Sequence, residues 1–218
     1  MTSGAVAGPI GIAATLPRRF PAVYERAFTK IARTSCDMYR LADGIDALNG
    51  WIGRTIAWGA IVMGILQFSM VIARYVYGIG SVWVQESITY VFASLFMLGA
   101  ASALLTDGHV RVDIWYREAG PRGKAIVNLL GTLVFLWPVT FLIVWESWPY
   151  VARAFAIREG SRETSGIPLL YLLKAEIVAF GALMALQGLS IAIRSVGTLV
   201  GHDDPAVGAG NETLRVGH

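Results

Sequence analysis

Glu86, Glu146 and Lys174 are the side chains of this sequence best placed to do chemistry, because each lies inside a long apolar stretch where an ionised group is costly. Such groups either carry protons or ions, or tie one helix to another. Counting at about 1.5 Å per residue from boundaries near Val82, Val151 and Pro168 puts all three roughly 6 to 10 Å inside the same membrane face. Glu176 is only two positions from Lys174 and points to a different side of a helix, so the counter-ion of Lys174 is expected on another helix, as Glu86 or Glu146. An ion route needs polar residues at mid-depth. The central turns are instead Ile, Leu, Val, Phe, Met, Ala and Gly, with Ser69, Ser94, Asn128, Thr132, Thr140 and Gln187 as moderate exceptions. The three charges are therefore expected to act as ties between helices or subunits.

Other chemistries lack their residues. No Gly-rich phosphate loop precedes a Lys and Ser or Thr, which argues against ATP hydrolysis. His109, His202 and His218 fall in loops or the tail, so paired histidine ligands for an intramembrane haem are missing. A lone Cys36 excludes an intramolecular disulfide and an all-cysteine metal site, and no Ser, His and Asp spacing suggests a nucleophilic triad. The sequence is read as a non-enzyme with no cofactor, no metal and no nucleic-acid partner.

The elements that must position these charges are four hydrophobic stretches. Residues 55–73, 88–105 and 125–145 are each long enough to cross a hydrocarbon core of about 30 Å, and residues 167–193 can cross it with tilt. The composition agrees, with 55% hydrophobic and 15% charged residues in a chain of 218, against roughly 25% charged in an average soluble protein. The expected fold is an all-α membrane protein with four transmembrane helices, preceded by a cytoplasmic amphipathic helical segment. Residues 1–20 read as a disordered tail, without the leading basic residues of a signal peptide. Residues 21–50 read as one or two helices lying on the membrane. Residues 51–197 form the membrane domain, with spans near 51–77, 82–106, 125–151 and 167–196, and 198–218 a flexible tail.

Basic residues set the orientation. Seven precede the first span, from Arg18 to Arg54, and Arg111, Arg117, Arg122 and Lys124 lie between the second and third, so both segments and both termini are expected in the cytoplasm. Trp51, Trp58, Trp115 and Tyr116 on one side, and Tyr75, Tyr77, Trp83, Trp148 and Tyr150 on the other, suit the two headgroup belts. Gly78 and Gly80 allow a short hairpin between the first two spans, and Pro138 should bend the third. Small residues four apart, Ala60 with Gly64, Gly99 with Ala103, Gly181 with Ala185 and Gly188 with Ala192, permit close helix contact.

Several strings in order, residues 74–78 (RYVYG), 83–87 (WVQES), 108–113 (GHVRVD), 165–174 (SGIPLLYLLK) and 186–188 (LQG), resemble the small membrane subunit of tripartite ATP-independent periplasmic transporters. The branch most resembled is that of mannitol or chloroaromatic compounds, and the likeness covers about residues 46–194. The resemblance implies a bacterial inner-membrane scaffold whose partners are a large sodium-coupled membrane subunit, a periplasmic protein that captures a carboxylate or related solute, and membrane lipids. It also implies that Arg74 and Glu86 shape the outer side of the complex, and Trp83, within the 83–87 string, is expected as a structural or interface residue. His109, Arg111 and Asp113 would anchor the cytoplasmic loop to headgroups or partner. The competing readings are an autonomous small transporter or channel using Glu86 or Lys174, and a quinone or haem anchor.

Overall fold

The computed structural model describes residues 22–106, 108, 116 and 119–201, and side chains from Asp37 onward. His109, Arg111 and Asp113, the first 21 residues and the tail after Gly201 lie outside the described residues. Every regular element among those described is helical: α1 (Ala22–Val76), α2 (Val82–Leu105), α3 (Pro121–Gly131), α4 (Trp137–Ala156) and α5 (Leu170–Val200). The chain divides into two compact units, residues 1–37 and residues 38–218, and the helix bundle belongs to the second.

Among the described residues, four helical stretches are long and apolar enough to cross a bilayer: Asp37–Val76, Val82–Leu105, Pro121–Ala156 and Leu170–Val200. Their packing inverts that of a soluble protein. Among the described residues the largest fully buried side chains are Gln187, Asn49 and Ser190, whereas Trp58, Phe96, Phe135 and Phe141 stand on the outside. Large apolar groups outside and small or hydrogen-bonded groups inside are stable only where the surroundings are themselves apolar. This is the physical signature of a bundle made for lipid.

α5 occupies the centre, packing against α2, α3 and α4. Gly181 and Gly188 let it do so. A Cβ on Gly181 would lie 2.5 Å from Val144 Cγ2, and one on Gly188 would lie 2.7 Å from Leu136 Cδ2 and 2.9 Å from Trp137 Nε1. The Trp137 indole then donates to the Ala185 carbonyl at 3.3 Å. Gly64 and Gly99, from the other small-residue pairs, face open space. α1 meets α2 where Gly53 abuts Ser102.

The third long helix accommodates Pro138 through a widened turn. Thr132–Leu136 is π-helical, with the Trp137 N–H donating to the Thr132 carbonyl, and Pro138 enters α4 directly behind it. A proline has no N–H to donate and its ring crowds the carbonyl four residues back, so opening the turn removes the clash. Ser81 caps α2, its side chain accepting from the Val84 N–H at 3.5 Å. Gly201, at φ 83°, ends α5 in the left-handed conformation.

Candidate functional site: polar ties at the two ends of the bundle

Residues 157–169 join α4 to α5, and this loop folds back onto the helix ends. Arg158 turns the chain at φ 48°, after which the Glu159 N–H donates to the Ala154 carbonyl at 2.9 Å and the Ser161 N–H to the Ile167 carbonyl at 3.2 Å. The turn delivers the Glu159 carboxylate to Lys174, at 2.5 Å. The Lys174 ammonium also sits 4.0 Å from the centroid of the Tyr150 ring, a cation–π contact. The expected partners of Lys174, Glu86 and Glu146, are therefore not its partners. Its counter-ion comes from the connecting loop, because the backward turn at Arg158 supplies a nearer carboxylate than either helix.

Glu86, in the first turns of α2, holds the other side of the same loop. Its Oε2 accepts from the Ile167 N–H at 2.5 Å, and its Oε1 accepts from the Ser161 hydroxyl. Gly166 is required beside it, since a Cβ there would come within 2.7 Å of Glu86 Oε1. Glu86 and Lys174 thus clamp one loop from two helices without touching each other.

A second set of ties lies toward the other end of α5. Asp46 on α1 accepts from three α5 side chains: Gln187 Nε2 at 2.9 Å and Ser190 Oγ at 2.7 Å to its Oδ1, and Arg194 through Nε at 3.2 Å and a terminal nitrogen at 2.8 Å to its Oδ2. Arg194 also reaches Asp43 at 2.7 Å, and Asn49 donates to Gln187 at 2.7 Å. Sequence reading missed this network by assigning residues 21–50 to a surface helix. Its signal was present: Asp43, Asp46 and Asn49 on α1, and Gln187, Ser190 and Arg194 on α5, recur at three- and four-residue steps along one face of each helix.

Lys174 and Arg194 are twenty residues apart on α5, which at about 1.5 Å per residue is roughly 30 Å, the thickness of a hydrocarbon core. Between these layers one further carboxylate is enclosed. Glu176 Oε1 accepts from Ser94 Oγ at 2.5 Å, and its Oε2 and the Tyr90 hydroxyl are buried with no hydrogen-bond partner among the described residues. Glu146 is exposed on α4 and Arg74 on α1, neither with a partner among the described residues, and Trp83 is exposed on α2. No group of three His, Cys, Asp or Glu able to hold a metal occurs among the described residues.

Among the described residues, four long apolar helices around a hydrogen-bonded interior define a multi-pass membrane protein. Residues 63–198, more than half of the chain, match the family model described as tripartite ATP-independent periplasmic transporters, DctQ component, and the chain belongs to that family. It is a transporter component, not an enzyme. A curated relative, the C4-dicarboxylate TRAP transporter small permease protein DctQ of Vibrio cholerae serotype O1 (strain ATCC 39315 / El Tor Inaba N16961), is 27% identical over 114 residues, covering 52% of this chain and 48% of the relative. The match thus spans about half the length of that protein. No solved structure matches.

Proposed function

We propose that this chain is the non-transporting small subunit of a TRAP-type secondary transporter, holding a large membrane permease in place for sodium-coupled uptake of a carboxylate or related organic solute. A periplasmic solute-binding protein captures the solute and delivers it to the assembled complex. The chain sits in a bacterial inner membrane with both termini in the cytoplasm, so that the Asp46 network faces inward and the 157–169 loop faces the periplasm. Family membership and the relative's printed name support the class. The observation that carries the scaffold role is the use of the interior polar groups: Asp46, Gln187, Ser190 and Arg194 bind one another across helices, and Glu86 and Lys174 bind the loop. An autonomous transporter working through Glu86 or Lys174 is disfavoured because both groups are committed to those contacts.

The test is a reconstitution with the large permease and the solute-binding protein, with and without this chain. Solute uptake that requires all three supports the proposal. Uptake by the other two proteins at an undiminished rate, with the permease equally stable, would remove it.

A further inference from the structure

We propose that the outward face of α4 formed by Leu142 and Trp145, with Glu146 at its edge, is where the large permease docks, through a membrane helix that presents an arginine or lysine to this carboxylate. The inference rests on the function proposed above and names its contact face. Glu146 is exposed, and none of the described residues partners it. It is also deep. Tyr150 holds the ammonium of Lys174, which lies four residues into α5. Glu146 is one further turn along α4, about 12 Å below the start of α5 at helical rise. A carboxylate facing lipid at that depth is unstable unless a cation or hydrogen-bond donor meets it.

The surrounding surface is already shaped for a helix. Leu142, one turn before Glu146, is exposed beside it, and Trp145 follows on the same outer side, stacked on Phe141 at a centroid distance of 5.9 Å. Preordered aromatic groups lose little freedom when a partner packs on them.

Charge decides the occupant. A second copy of this chain packed symmetrically here would set carboxylate against carboxylate. No described cation of this chain is free at that level: Lys174 is held by Glu159, Arg194 by Asp43 and Asp46, and Arg74 and Arg153 lie in the last turns of α1 and α4. A basic side chain from a different polypeptide within the membrane supplies both the positive charge and the hydrogen-bond donor that this carboxylate lacks.

The experiment co-expresses the full chain with the large permease of its transporter and measures how much permease co-purifies in mild detergent. Glu146→Lys is expected to reduce recovery at least tenfold and Glu146→Gln several-fold, with helical content of the chain unchanged. Leu142→Trp, a neutral bulky change on the same face, covers the case in which the lysine variant fails to insert, and is also expected to lower recovery. Reversing the partner's cation to glutamate should restore binding to Glu146→Lys. Wild-type recovery of the permease by both Glu146→Lys and Leu142→Trp overturns this docking face alone. Failure of the wild-type chain to bring down the permease overturns the proposed function and this inference with it. Loss of a dimer of this chain, with permease binding intact, assigns the face to a second copy and refutes the proposal.

Discussion

Replacing Asp46 with alanine removes one carboxylate that accepts four hydrogen bonds from three residues of α5, and the cost can be worked from those contacts. Bonds between helices in a membrane average about 0.6 kcal/mol and reach about 1.7 kcal/mol, because the separated helices find other partners in lipid. The Gln187 and Ser190 contacts together thus contribute roughly 1 to 3 kcal/mol. The two-pronged contact with Arg194 is charge-assisted and adds about 1.5 to 3 kcal/mol, partly offset because Arg194 keeps Asp43. A net loss of about 3 kcal/mol is expected for Asp46→Ala. Unfolding in detergent micelles, followed by the fluorescence of the seven tryptophans, measures it. The decisive comparison is the double-mutant cycle with Arg194→Ala, where the combined loss should fall short of the sum by at least about 1 kcal/mol. An Asp46→Ala variant within about 0.5 kcal/mol of wild type, or strict additivity with Arg194→Ala, would refute the reasoning.

Other substitutions separate the remaining contacts. Lys174→Ala and Glu159→Ala should each speed proteolysis within residues 157–169, and the double variant should cleave no faster than either alone, whereas Lys174→Ala with Glu146→Ala should show no such coupling. Glu86→Ala leaves the Ser161 hydroxyl and the Ile167 N–H without their acceptor, so amide exchange at Ile167 should accelerate sharply while exchange in the middle of α5 stays slow. Gly188→Ala forces a methyl against Leu136 and Trp137 and should destabilise by about 1 to 3 kcal/mol. Gly64→Ala enters open space on a helix and should be neutral or stabilising by up to about 1 kcal/mol, as read by the same unfolding assay.

The helical architecture was legible because lipid demands long apolar runs and leaves no other way to satisfy the backbone, so length and hydropathy alone expose α2 and α5. The turn at Pro138 was legible as a disturbance, but not as the π turn at Thr132–Leu136 that absorbs it, since the choice between bending and widening depends on the helices packed alongside. The depth of Lys174 marks its need for a counter-ion, but neither expected partner, Glu86 or Glu146, supplies it. Helical depth points to carboxylates on the spans, whereas the backward turn at Arg158 brings Glu159 up by a path with no periodic signature. The Asp46 network escaped for a different reason. Its α1 residues lie amid basic residues that suit a membrane surface, and only pairing their three- and four-residue spacing with that of Gln187, Ser190 and Arg194 marks them as interior. Glu176, set aside as a bystander of Lys174, is likewise enclosed by Ser94 from α2.

The central claim is that this bundle supports transport without conducting. Proteoliposomes containing the chain alone, given a sodium gradient and radiolabelled C4-dicarboxylate as one carboxylate probe, should show sodium and solute fluxes no greater than those of empty vesicles. Sodium or solute entry above that background, abolished by Glu86→Gln or Glu176→Gln while the chain stays folded, would contradict the account.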